Sequence, residues 1–297
     1  MHKLRDTLAA HAEIHGASWS EHDAVCGSET DRRTGLHPGR EALGAPGARM
    51  YRLLKNLPLN GYERSFKFLP GRLLTERFLL GIHRERLGQQ QLLEILDGLD
   101  VPDEFRTRFM ADLPRTRFLH FGHEAGSEGV VRKVYQEYEQ AEGTSGSGSL
   151  LYTGYKWDPE QPQRRALSHY RLLRGLTLEQ MLKRVTSLHA DRHTLAAAAR
   201  TIVTAAGTRC PATSLLYLDV SEEDNPRLSC DINLYAADMA LHELAPLLEQ
   251  AAACFGIAPA ILDAYLATLP GAKLGHVSTG CGRDGLPFLT IYYARAV

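Results

Sequence analysis

The sequence predicts an α+β protein in which β-hairpins alternate with amphipathic helices. Pairs of short segments with apolar-polar alternation recur along the chain, joined by turns rich in Gly, Ser, Asp and Pro. Between these pairs lie stretches in which apolar residues repeat every 3.6 positions. Connections this short make the strands antiparallel. With 297 residues, 44% hydrophobic and 23% charged, the chain can bury a sizeable core, as one large domain or two small ones.

Residues 16–47 are rich in Gly, Ser, Asp and Pro and lack either hydrophobic period, so residues 1–48 are read as a flexible arm and the core is placed from about Met50. QQQLLEILDGL (89–99) reads as a short amphipathic helix, and DEFRTRFM after Pro102 as another. RTRFLHFGHE (115–124) and VVRKVYQEYE (130–139) flank the turn AGSEG as one hairpin. LLYTGYKW (150–157) and RRALSHYRLL (164–173) form the next, across DPEQPQ. After Gly175, Leu178, Met181, Leu182, Val185 and Leu188 make one helical stripe, and an alanine-rich helix continues to about Ala206. SLLYLDV (214–220) and RLSCDINLY (227–235) enclose SEEDNP and lead into the helix ADMALHELAPLLEQAAACF. A further helix is marked by Ile261, Leu262, Tyr265, Leu266 and Leu269. The chain closes with KLGHVST (273–279), the turn GCGRDG and PFLTIYYA (287–294).

A net charge of −1 and a pI near 6.9 give no overall field for nucleic acid or anionic lipid. No apolar run approaches the roughly 18 residues of a membrane span, and MHKLRDTLAAHAEIH is charged where a signal peptide is apolar. A cytoplasmic protein is expected. Cys26, Cys210, Cys230, Cys254 and Cys281 are odd in number and scattered, with no CxxC pair, which suggests neither a disulfide framework nor a structural zinc site.

The strand faces carry the functional reading. In RLSCDINLY, Leu228, Cys230, Ile232 and Leu234 alternate with Arg227, Ser229, Asp231, Asn233 and Tyr235. By the same rule Lys133, Tyr135 and Glu137 oppose Val134; Thr290 and Tyr292 oppose Leu289 and Ile291; Tyr217 and Asp219 oppose Leu216 and Leu218. Tyr152 and Lys156 share a parity. Arg165, His169 and Arg171 share another, with Ser168 and Tyr170 on the alternative face, and His120 and Glu124 fall beside Phe118. An open two-layer sheet with one wet face gives this alternation too. Tyrosines beside single charged groups, however, suit a half-desolvated cavity. If the sheet closes, they line a lumen in which Lys and Arg hold a phosphate or diphosphate and aromatic faces stabilise a carbocation.

In this organisation the chain resembles the ABBA-type aromatic prenyltransferases, above all the small subgroup that prenylates peptides. LPRTRFLHFGHEAGSEGVVRKVYQEYE is similar to the family's early hairpin, with Glu124 late in its first strand facing Lys133-Val134-Tyr135. LLYTGYKWDPEQPQRRALSHYRLL, SLLYLDVSEEDNPRLSCDINLY and PFLTIYY resemble later hairpins, the likeness running from about Gln89 to the end. It implies an antiparallel barrel of repeated α-β-β-α units with helices outside, over residues 49–297. Five hairpins are implied and four are evident. The fifth is sought in ERSFKFLPGRLLTERFLLGIHRE (63–85), which reads as a strand pair or as a strand and a helix.

The resemblance implies transfer of an allylic group, dimethylallyl or geranyl, from its diphosphate to an aromatic small molecule or a peptide side chain. Lys133, Lys156, Arg171 and Arg227 are the candidate diphosphate holders. Tyr135, Tyr152, Tyr217, Tyr235 and Tyr292 are the candidate shield around the cation. Glu124 is the candidate base, with a pKa raised in a dry lumen, and His120, His169 and Asp231 are its substitutes. No DDxxD cluster occurs, so no cofactor is expected to be required, with Mg2+ at most a helper.

Two other readings stay open: a barrel that binds a small aromatic or anionic ligand without chemistry, and a haem or metal oxygenase. The second rests on His11, His15, His22 and Cys26, spaced by 4, 7 and 4, which a continuous helix would align. Gly16 and the polar run after it oppose such a helix. GHVSTGCGRDG fits neither phosphate-loop pattern and reads as a hairpin turn. No HExxH or GxSxG stands out.

Overall fold

The computed structural model describes residues 46–54, 56–126, 129–139, 148–189 and 193–295. The histidines and Cys26 of the N-terminal arm lie outside them.

Among the described residues, eleven strands form one antiparallel sheet: β1 (Gly61–Leu69), β2 (Arg72–Leu74), β3 (Arg77–His83), β4 (Thr116–Gly126), β5 (Gly129–Tyr138), β6 (Ser149–Trp157), β7 (Arg165–Leu173), β8 (Leu216–Glu222), β9 (Asn225–Asn233), β10 (Ala272–Cys281) and β11 (Pro287–Arg295). Neighbours follow chain order apart from the short β2, which pairs only with β1, and β11 pairs back onto β1 from Arg64↔Tyr293 to Phe68↔Leu289. A ten-stranded barrel results, and closure leaves no long edge unpaired.

The fifth hairpin is β1 and β3. Glu63, Ser65 and Lys67 alternate with Arg64, Phe66 and Phe68, a period-2 pattern that no helix satisfies. Gly71, at φ 69°, makes the turn into β2. Because paired strands run antiparallel throughout, all five hairpin turns lie at one rim. The helical crossovers join the strands at the other.

Among the described residues, seven helices cover the outside: α1 (Pro46–Leu54), α2 (Gln89–Gly98), α3 (Asp103–Asp112), α4 (Leu178–Ser187), α5 (His193–Gly207), α6 (Ala245–Cys254) and α7 (Pro259–Leu266). Met50, Leu92, Leu96 and Phe109 of α1–α3 pack on Leu80, Phe121, Val134 and Trp157 of β3–β6. Val185, Ile202, Leu248 and Leu262 of α4–α7 pack on Phe66, Tyr217, Ile232 and Ile291. Thr177 starts α4 with a reciprocal capping box to Gln180. The stretch read as one helix, ADMALHELAPLLEQAAACF, is broken: two 3-10 turns precede α6, Asp238 sits at φ 47°, and Pro246 permits an α-helix only from its first turn. The turn read over SEEDNP shrinks to Glu223 and Asp224, because β8 runs on to Glu222 and β9 starts at Asn225. No helix of the described residues is long and apolar enough to cross a membrane.

Candidate active site

Side chains from every long strand meet inside the barrel in two confluent spaces. The smaller lies toward the crossover end; the larger opens at the hairpin rim. Arg77, Lys133, Tyr135, Tyr170 and Tyr292 line both and form the waist.

The rim half is cationic, and two carboxylates organise it. Glu124 takes Arg77 and Lys133 in direct ion pairs, with Lys67 Nζ at 3.9 Å. Glu222 accepts from Arg227 Nη1 at 2.7 Å, Arg283 Nε at 2.5 Å and Ser168 Oγ at 3.0 Å, with Lys156 Nζ at 3.4 Å. Each acid therefore gathers three cations. Six basic groups surround two carboxylates, which fix them before any ligand arrives. The Nε of Arg227 is buried without a hydrogen-bond partner.

Titration follows from this crowding. Burial pushes the Lys67 and Lys133 ammonium groups down to about 8, against the upward pull of Glu124. Burial, with Arg227 nearby, carries Lys156 well below its ordinary value. Burial alone would raise Glu124, but Arg77, Lys133 and Lys67 together hold it well below the usual carboxylate range. The raised pKa expected for Glu124 is thus reversed, because Arg77 of β3 and Lys67 of β1 join Lys133 beside it.

Aromatic rings occupy the middle. Tyr170 meets Tyr135 and Tyr152 edge-on at 5.8 and 5.9 Å, and Tyr292 lies 5.7 Å from the ring of His276. Lys156 stands over Tyr170, while Lys67 and Arg227 stand over Phe288. Gly154 makes the crossing of Tyr135 possible, since a Cβ there would lie 2.7 Å from its ring. Below, Leu172, Leu216 and Leu218 form a small apolar cluster with Tyr152.

The inner end is acidic. Asp231 Oδ1 contacts His276 Nδ1 at 2.7 Å, and Glu63 Oε1 lies 3.5 Å from the other ring nitrogen. The Tyr235 hydroxyl donates to Glu63 at 2.5 Å. Glu137 pairs with His120 at 3.1 Å. Burial alone would lower His276, but Asp231 and then Glu63 outweigh it and raise its pKa.

Of the residues singled out from sequence, Glu124, His120, Asp231, Lys133, Lys156, Arg227, Tyr135, Tyr152, Tyr235 and Tyr292 come together here. Three do not. Leu218 is directly opposite Asp231 and Tyr217 opposite Ile232, and cross-strand partners share a face, so Leu218 is the inward residue and Tyr217 is buried under the helices. Arg171 pairs across from Asp219 on that same outer face and is exposed. His169 also points outward, 3.0 Å from Glu223. The alternative parity of β7, with Ser168 and Tyr170, is the inward one. Sequence reasoning missed Lys67, Arg77, Glu63, Glu222, Arg283 and His276. Alternation in KLGHVST marks His276, and Glu63 and Lys67 alternate with phenylalanines, whereas Glu222 and Arg283 sit in segments that read as turns.

The architecture is that of the ABBA-type aromatic prenyltransferases: a closed ten-stranded antiparallel barrel, α+β, with helices outside and a polar, aromatic lumen. Among solved structures, the chain is similar to 5-dimethylallyltryptophan synthase from Streptomyces coelicolor, with a TM-score of 0.64 at 12% identity over 94% of this chain and 98% of that one. It is also similar to the prenyltransferase PriB in ternary complex with L-tryptophan and dimethylallyl thiolodiphosphate, with a TM-score of 0.63 at 13% identity over 92% and 95%. A third likeness is to 6-dimethylallyltryptophan synthase from Micromonospora olivasterospora, with a TM-score of 0.60 at 13% identity over 94% and 98%. No protein-family model matches the sequence, and no curated protein matches it.

Proposed function

We propose that the barrel transfers a dimethylallyl or geranyl group from its diphosphate to an aromatic small molecule or a peptide side chain. The observation that carries this reading is the order of chemistry along one lumen: cations at the rim, tyrosine rings at the waist, carboxylates and histidines at the inner end. The donor's diphosphate binds the cations held by Glu124 and Glu222, with Arg77 and Lys133 at the tyrosine waist and Lys156 over Tyr170. The allylic C–O bond breaks and its electron pair leaves with the diphosphate, whose charge the rim stabilises. The carbocation lies among Tyr135, Tyr152, Tyr170 and Tyr292, shielded from water. The acceptor's electron pair forms the new bond to the allylic carbon, and its proton passes to the Asp231–His276–Glu63 group. Glu124, salt-bridged at the rim, positions Lys133 and Arg77. In this scheme Mg2+ is only a helper, so chelation with EDTA leaves the rate within about twofold.

Incubation with dimethylallyl or geranyl diphosphate and a panel of tryptophan, tyrosine and short peptides is expected to add one prenyl unit to an acceptor and release diphosphate. Absence of product from every pairing, with no diphosphate-induced thermal shift, rejects the reading. Retention of ligands without diphosphate release would make the barrel a binding protein.

A further inference from the structure

The inner end of the lumen differs from the rim in the sign of its charge, and that difference restricts what it can accept. Glu63, Asp231 and Glu137 are 7%, 7% and 4% exposed, and all lie on inward-facing strand positions. The Lys and Arg residues among the described lining of this space are Arg77 and Lys133, both of them turned to Glu124 at the waist. His276 is the basic side chain in contact with Asp231 and Glu63, and it sits between the two. A second observation is independent of the acids. Asn233 is 2% exposed, follows Asp231 on the inward face and pairs across from His276. Its Oδ1 accepts from the Tyr235 amide, which fixes the side chain, and its Nδ2 has no hydrogen-bond partner. A buried donor left open across from His276, which lines the cavity, makes this end of the lumen polar beyond its acids.

An aromatic acceptor with a free carboxylate would bring a further negative charge into this space and find no unengaged cation. One with a protonated nitrogen would face the two lining carboxylates, Glu63 and Asp231, in a site where water screens little. We infer that the inner end receives an aromatic or peptide acceptor that carries a protonated amine or guanidinium group and no free carboxylate. The cationic group docks toward Glu63 and Asp231, which leaves the ring between Leu218 and the waist tyrosines. In naming this end as the acceptor's, the inference rests on the transferase reading.

The test compares matched ligands on the wild-type protein saturated with the unreactive dimethylallyl thiolodiphosphate. The pairs are tryptamine against indole-3-propionate, tyramine against 3-(4-hydroxyphenyl)propionate, and phenethylguanidine against 3-phenylpropionate, with affinities read by calorimetry. The cationic member of each pair is expected to bind at least about tenfold tighter, the scale of one charge-assisted hydrogen bond. Glu63→Gln and Asp231→Asn should each shrink that ratio severalfold, with circular dichroism checking that they fold. Equal affinity, preference for the carboxylate or no binding of either member in the wild type overturns the inference. Preferential binding of the cation with no prenylated product from either dimethylallyl or geranyl diphosphate on any acceptor of the panel leaves the charge preference standing and removes the transferase reading. Prenylation of both members without preference does the reverse.

Discussion

Glu222 is fully buried at its side chain and accepts from two arginines and a serine, with Lys156 alongside. Its neutral isostere would leave three cations facing one another in a dry rim. Glu222→Gln is therefore expected to lower stability by about 3–5 kcal/mol, the usual consequence of removing one partner of a buried ionic cluster, read as a lower urea midpoint at unchanged slope. Lys133→Met acts on the ligand instead: inorganic diphosphate should bind roughly 10- to 100-fold more weakly, the loss of one charge-assisted contact. Lys67 and Lys133 also set a pH dependence. Their folded pKa values of about 8 lie below the ordinary 10.5, so the folded protein holds fewer protons than the unfolded chain between these values. Stability without ligand thus rises with pH through that window. Diphosphate favours the protonated lysines, so its affinity should fall from pH 7 to pH 9 and its binding should take up protons. Calorimetry in two buffers of different ionisation enthalpy measures that uptake, and none would mean these lysines do not meet the ligand.

Among the elements, the hairpins position the site and the helices hold the hairpins. Helix α4 packs Met181 and Val185 on the sheet and begins with the Thr177 capping box. Thr177→Ala should cost about 1 kcal/mol in thermal or urea unfolding and leave diphosphate affinity unchanged, because the cap touches no lumen residue. Legibility at this scale was uneven. Strands β4–β7 and β9–β11 were placed to within a few residues because their alternation is strong and their turns are marked by Gly, Asp and Pro. In β8 the period was clear and the face was wrong. LYLDV offers leucines and valine inward and Tyr217 and Asp219 outward, and only its register with β9 reveals that order. The same holds for β7, where both faces carry polar groups and pairing with β6 and β8 selects Tyr170 over His169 and Arg171.

Across the whole molecule, one sheet is shared by two outer cores, one under α1–α3 and one under α4–α7, and the β1–β11 seam ties them together. Phe66 sits at that seam, fully buried against Tyr265 and Tyr293. Phe66→Ala should destabilise the protein by about 3–5 kcal/mol. Tryptophan fluorescence of a Trp19→Phe variant, which leaves Trp157 in the other core as the emitter, should report the same midpoint as circular dichroism if the barrel unfolds as a unit.

The sequence by itself determined the class, the hairpin-helix order and most of the inward-facing polar residues, since these depend on local period and turn chemistry that a single segment contains. Tertiary structure alone decided closure, the faces of β7 and β8, and the charge state of the lumen. Those follow from which strand lies beside which: Glu124 becomes a salt-bridged anion only when β3 brings Arg77 across from it, and no local pattern encodes that meeting.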